Sequence, residues 1–212
     1  MYITHAKDAM FIHSVVANVL GDDICDVFID AFACVGGDTL AAINQFGTSK
    51  IYSVQPAFYG KNERFESLNA NIINFKTLTG KGAETKPKNM DIKSFIESEE
   101  LPQNISVLYL DPPWSLQPCQ PPSVDLCPEK HDQFKGYSSP LSIGWFIFVN
   151  VFDPLKKKGI LPKIIALKLP GIPTYPSING IISRMGENYR QYAFLTPRKK
   201  YAVFIFKLEF PV

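Results

Sequence analysis

Val27-Phe28-Ile29-Asp30-Ala31-Phe32-Ala33-Cys34-Val35-Gly36-Gly37-Asp38 is the stretch on which the fold turns. Its first three residues form an apolar run of strand length, and Asp30 ends it. A turn of small residues follows over 31–37, and the spacing then predicts a helix over 38–46, closed by Gly47. Residues 51–54 read as a second strand and 59–74 as a second helix. Strand, turn, helix, strand is the rhythm of a parallel sheet, because parallel neighbours need a crossover between them.

Working outward, Ala6, Met10, Ile12, Val16, Val19 and Leu20 recur at helical spacing, so a helix is expected over 4–20, within an N-terminal element spanning 1–22. Residues 76–89, rich in Lys, Thr and Gly, read as an exposed loop. A helix over 92–100 leads to a strand over 105–110, which runs into Asp111-Pro112-Pro113-Trp114. A proline-rich loop over 115–139 comes next, of a length that points to function. A helix over 141–155, a strand over 164–169, a helix over 176–185 and strands over 189–195 and 201–208 complete the chain. The last two strands flank Thr196-Pro197-Arg198-Lys199-Lys200 and read as an antiparallel hairpin. The expected architecture is α/β, one domain over 1–212, with a mostly parallel seven-stranded sheet.

The 212 residues include sixteen Phe and nine Tyr, are 46% hydrophobic and 20% charged, and carry a net charge of +2. That excludes a disordered chain, an acidic tail protein and a wholesale polycation, so any nucleic-acid site must be a local patch. Cys25, Cys34, Cys119 and Cys127 form no CxxC pair, and His5, His13 and His131 do not fall at zinc-ligand spacing from them. Neither a metal site nor a disulfide framework is expected. No apolar run reaches the roughly 18 residues of a membrane span, and the first residues lack a leader's pattern. The expectation is a soluble intracellular protein, cytoplasmic or nuclear and not secreted.

In an open parallel sheet, ligands bind beyond the carboxyl ends of the strands, where the strand order reverses. Asp30 at such an end offers a carboxylate to a cationic or hydroxylated ligand, and the small residues after it let backbone N–H groups approach. The plainer reading is a tight turn whose glycines serve geometry alone. At Asp111-Pro112-Pro113-Trp114 two prolines remove two donors and stiffen the turn, leaving carbonyls and the Asp111 carboxylate as acceptors. Trp114 adds a flat face. Such a turn suits a planar ring with an exocyclic amine; otherwise it is a proline turn before a core tryptophan.

Together the two segments resemble class I S-adenosylmethionine-dependent methyltransferases that act on exocyclic amines, matching their motif I and their [DNS]-P-P-[YFW] motif. Asp30-Ala31-Phe32-Ala33-Cys34-Val35-Gly36-Gly37-Asp38-Thr39 is similar to the D-A-F-C-G-V-G-G-N-T signature of the trimethylguanosine synthases, which methylate guanine N2 of a 7-methylguanosine cap. The resemblance implies the Rossmann-like class I methyltransferase fold and S-adenosylmethionine as cofactor. It implies that Asp30, Phe32, Ala33, Gly36, Gly37 and Thr39 surround the methionine part of the cofactor, and that Asp91 accepts the adenine amine. It also implies that Asp111, Pro112, Pro113 and Trp114 form the catalytic turn. There Asp111 and the Pro112 carbonyl hold the amine while Trp114 stacks on the substrate base. A positively charged 7-methylguanine adds a cation–π term of about 0.5–2 kcal/mol.

Three positions depart from that pattern. Gln55 stands where an acid binds the ribose hydroxyls, Cys34 stands where the family has glycine, and Ser115-Leu116-Gln117 replaces a G-G-P run. These changes weaken cofactor binding, which keeps open a methyltransferase-like binding module for RNA or protein. Adenine-N6 or guanine-N2 methylation of internal RNA or DNA is the other alternative. For an RNA partner, the phosphate contacts are expected from Lys156 and Lys158 after a helix and from Arg198, Lys199 and Lys200 in the hairpin. His131, in the proline-rich loop, is a weaker candidate for a general base. A chain with so little outside the catalytic fold suits a stripped-down genome, viral or cellular.

Overall fold

Strand β1 (Val27–Asp30) is buried along its length and lies between β2 (Lys50–Val54) and β4 (Val107–Leu110), parallel to both. The computed structural model describes residues 4–47, 49–56, 62–112, 114–115, 127–128, 143–170, 183 and 189–209. Across them run β3 (Thr85–Lys88), β7 (Ile164–Pro170), β8 (Tyr189–Leu195) and β9 (Tyr201–Leu208), giving a seven-stranded sheet in the order β3-β2-β1-β4-β7-β9-β8. The first five of these strands are parallel, and β9 and β8 close the sheet as an antiparallel pair. A separate two-stranded ribbon joins β5 (Trp114–Ser115) to β6 (Cys127–Pro128). The strand order reverses between β1 and β4, which places the crevice expected of such sheets beyond Asp30 and Leu110.

Side chains alternate along each strand, and both faces are covered. Ile29, Leu108, Leu110, Ile165 and Leu167 pack under α4 (Ile92–Glu97) and a helical run of α5 (Ile143–Ile147), a π-helical turn (Phe148–Phe152) and α6 (Asp153–Lys157). Phe28, Val107, Tyr109, Ile164 and Ala166 face α1 (Ala6–Leu20), α2 (Gly37–Gln45) and α3 (Glu63–Thr79). The same alternation puts Lys168 on the α1–α2 face. No helix among the described residues is long and apolar enough to cross a membrane.

The exposed loop expected over 76–89 is not one. Helix α3 continues to Thr79 and stops at Gly80, whose φ of +68° is the left-handed region. Thr85-Lys86-Pro87-Lys88 then forms the seventh strand, paired with β2 from Ile51↔Thr85 to Val54↔Lys88. An edge strand needs only one bonded side, so it tolerates a proline and lysines that read as loop. Helix α4 ends at Glu97, short of residue 100, where the Ser98 amide turns back to the Phe95 carbonyl. The helix expected over 176–185 and most of the proline-rich loop, His131 included, lie outside the described residues.

Candidate functional site

The turn after β1 is tied to its neighbours through the backbone. The Ala31 amide donates to the Tyr109 carbonyl at 3.0 Å, and the Ala33 amide to the Val54 carbonyl at 3.1 Å. Gly36 stands at φ +97°, and a Cβ there would lie 2.9 Å from Leu68, so glycine is needed both for the backbone and for the close approach of α3. Cys34 also sits at a positive φ, +50°, a strained value for a residue with a side chain.

Beside this turn lies a cleft of about 250 Å³, mouth included, lined by Thr4, Phe32, Ala33, Cys34, Val35, Gly37, Asp38 and Asp111. Both segments singled out in the sequence therefore meet at the reversal of strand order. Of the residues expected around the cofactor, Phe32, Ala33 and Gly37 line the cleft. Asp30 and Thr39 do not: Asp30 is 1% exposed and Thr39 fully buried, and the Thr39 hydroxyl donates to Asp30 Oδ2 at 2.6 Å. They brace the turn from beneath. Burial, reinforced by the charges of Asp38 and Asp111, lifts the Asp30 carboxyl to about 7 against the pull of Thr39.

Gln55, the position expected to meet a ribose, follows directly after β2. Its side chain is buried, with Oε1 accepting the Cys34 amide at 2.7 Å and Nε2 donating to the Pro56 carbonyl at 3.0 Å. The amide braces the backbone of the turn after β1. Asp91 is half-buried at the N-terminus of α4 just beyond β3, where it accepts from the Ser94 amide at 2.9 Å and the Ser94 hydroxyl at 2.6 Å. Its carboxylate serves first as a helix cap.

Sequence reasoning missed the centre of the site. Lys168, 2% exposed, carries its ammonium to the Asp111 carboxylate, to the Thr4 hydroxyl and, at 3.2 Å, to Asp38 Oδ2. Thr4 in turn donates to Asp38 Oδ2 at 2.6 Å. The Tyr201 ring lies 4.7 Å from the ammonium. Burial alone would lower the Lys168 pKa, but the two carboxylates beside it, Asp111 foremost, raise it above the ordinary lysine range. Lys168 likewise holds Asp38 below the ordinary carboxylate range, against burial. His13 faces Asp38 from α1, its Nε2 3.9 Å from Oδ1, within an aromatic box of Phe28, Phe46 and Tyr109. Burial outweighs Asp38 and lowers the His13 pKa to about 4, so the ring is neutral at pH 7. A lysine at an inward position of an otherwise apolar strand was the available signal for this cluster.

Asp111 is partly exposed at the cleft and Pro112 is buried. The chain then enters the β5–β6 ribbon, with Trp114 opposite Pro128. Pro113 and the Trp114 side chain lie outside the described residues. The basic residues divide. Tyr201 pairs with Pro170, so the hairpin carrying Arg198, Lys199 and Lys200 stands at the cleft edge of the sheet, and the Arg198 amide reaches Asp8 of α1 at 3.4 Å. Lys156 and Lys158 do not join it. They end α6, whose exit feeds the start of β7, where the Lys163 amide donates to the Ile105 carbonyl at the opposite edge.

Solved structures share this architecture at low identity. The N-terminal domain of human METTL16, crystallised in complex with SAH, aligns over 98% of this chain and 72% of its own, with a TM-score of 0.62 and 12% identity. A methyltransferase from Geobacter sulfurreducens aligns over 98% of this chain and 82% of its own, with a TM-score of 0.56 and 10% identity. TrmN from Thermus thermophilus covers 96% of this chain and 52% of its own, with a TM-score of 0.56 and 12% identity. No protein-family model and no curated protein matches the chain. What is shared at these identities is the Rossmann-like fold of S-adenosylmethionine-dependent methyltransferases.

Proposed function

We propose that the protein is a methyltransferase that moves the methyl group of S-adenosylmethionine to an exocyclic amine of an RNA base, most specifically guanine N2 of a 7-methylguanosine cap. The observation that carries this reading is the meeting of the Asp30–Asp38 turn and Asp111-Pro112 in one cleft at the reversal of strand order. The residues suit the cofactor: Phe32, Ala33 and Gly37 present small or flat surfaces, and Asp38 and Asp111 favour a cation. The cofactor supplies an electrophilic methyl on a sulfonium centre. The protein's part is positioning. Asp111 and the Pro112 carbonyl accept the amine N–H groups and aim the nitrogen lone pair into the cleft, Trp114 fixes the ring plane, and the 198–200 hairpin holds phosphates.

The commitment of Gln55 to the Cys34 amide favours a second reading, the same fold as a binding module with a weakened cofactor site. One experiment separates the readings. The protein is incubated with methyl-labelled S-adenosylmethionine and, separately, a 7-methylguanosine cap analogue, structured RNA and duplex DNA. Label on the cap analogue's N2 supports the finer reading, label on structured RNA alone supports internal methylation, and label on duplex DNA alone overturns the RNA assignment. No label in any arm, with no heat on calorimetric titration with S-adenosylhomocysteine, supports the binding module.

A further inference from the structure

We propose that Lys168 is a positioning residue that makes cofactor binding and base binding interdependent; the inference rests on the methyl-transfer reading above. Lys168 is too deeply buried to touch a ligand in the cleft, so whatever it does there passes through the groups it holds. Those groups come from both halves of the site. Asp38 lies in the first turn of α2, directly after the turn assigned to the cofactor. Asp111 opens the turn assigned to the base. Both line the cleft, and the same ammonium bonds each.

A buried lysine is costly unless a carboxylate meets it. Here two acids from segments more than 70 positions apart share one cation, with Thr4 from a third segment as a further oxygen. Among the described residues, the groups facing Lys168 are Asp38 from α2, Asp111 after β4, Thr4 before α1 and the Tyr201 ring from β9. Asp30 lies behind them on β1, and His13 on α1 faces Asp38. The shared ammonium ties the position of each carboxylate to that of the other. A ligand that orders the first turn of α2 therefore orders Lys168 and, through it, Asp111. A second ligand then meets an acceptor whose ordering cost has been met already, which is positive coupling. Linkage makes the effect equal in both directions.

The test is calorimetric titration of the full chain with S-adenosylhomocysteine and with 7-methylguanosine 5′-monophosphate, each alone and each in the presence of the other. In the wild type each ligand is expected to tighten the other by at least about fivefold, and by the same factor in either order. Lys168→Met and Asp38→Asn are expected to bring that factor below about twofold, whereas Lys168→Arg, which keeps the cation, retains most of it. A merely structural role would weaken both ligands and leave the factor between them unchanged. Should Lys168→Met fail to fold, Asp38→Asn and Lys168→Arg decide the matter. The proposal is overturned if the wild type binds both ligands without coupling, or if Asp38→Asn keeps the wild-type factor. A wild type that binds neither ligand overturns the methyl-transfer reading itself, and this inference with it.

Discussion

Gln55 holds Cys34: the side-chain oxygen of one accepts the backbone amide of the other at 2.7 Å, and the residue so held stands at φ +50°. The end of β2 thereby clamps the turn that follows β1. The Gln55 side chain is turned inward, and the bond that the Cys34 amide donates to it helps hold the strained turn in place.

Removing the clamp is costly. Gln55→Ala leaves the Cys34 amide without its partner, which is expected to cost about 1–3 kcal/mol. Cys34→Gly acts in the opposite direction by relieving the positive φ, a gain of about 0.5–1 kcal/mol. Urea unfolding of the two variants, with unchanged m-values, checks both signs.

Two buried groups make acid stability a balance. His13 is lowered to about 4 from 6.5, so the unfolded chain takes up its proton first, and this stabilisation, complete above pH 6.5, is lost as pH falls towards 4. Asp30 is raised to about 7 from 3.8, so the folded chain holds its proton longer, and this stabilisation, complete below pH 3.8, is lost as pH rises towards 7. The two slopes oppose each other between pH 4 and 6.5. Relative to wild type, Asp30→Asn is expected to make stability rise more steeply with pH, by about 1.4 kcal/mol per unit, and His13→Leu to make it fall by a similar slope. Denaturant unfolding at pH 4.5, 5.2 and 6 measures the difference. Equal slopes in all three proteins would refute the assignment.

The two basic clusters are expected to behave differently towards RNA. Reversing Arg198, Lys199 and Lys200 to Glu removes phosphate contacts at the cleft edge and flattens the salt dependence of binding, by about 0.7 in log–log slope per lost contact on a single strand. Reversing Lys156 and Lys158 leaves that slope where it was. Fluorescence anisotropy from 50 to 300 mM salt reads both.

Trp114→Ala is expected to weaken 7-methylguanosine 5′-monophosphate by about tenfold or more, within the 1–3 kcal/mol of a base–aromatic stack, and to leave S-adenosylhomocysteine affinity unchanged. Loss of both ligands would point to collapse of the turn.

Much of this was legible along the chain. The apolar runs at 27–29, 164–167 and 201–206 declare their strands, and Asp30 and Asp111 at strand ends mark the crevice, because local periodicity decides such features. Thr85-Lys86-Pro87-Lys88 was not legible: its pairing is supplied by β2, and nothing local favours it. Nor was the direction of Gln55, which depends on a backbone donor 21 positions away. Lys168 was visible as an oddity, but its partners lie 57 and 130 positions distant, beyond the reach of any pattern.

The composition of β3 bears on how copies of the chain meet. Pro87 interrupts the outward row of amide donors, and two lysines flank it, so a second molecule that tried to extend the sheet there would find a broken template of its own charge. At the other margin stands β8, seven residues of Tyr, Arg, Gln, Ala, Phe and Leu without a proline. Strand-to-strand association between molecules, under crowding or partial unfolding, is thereby steered to that single side.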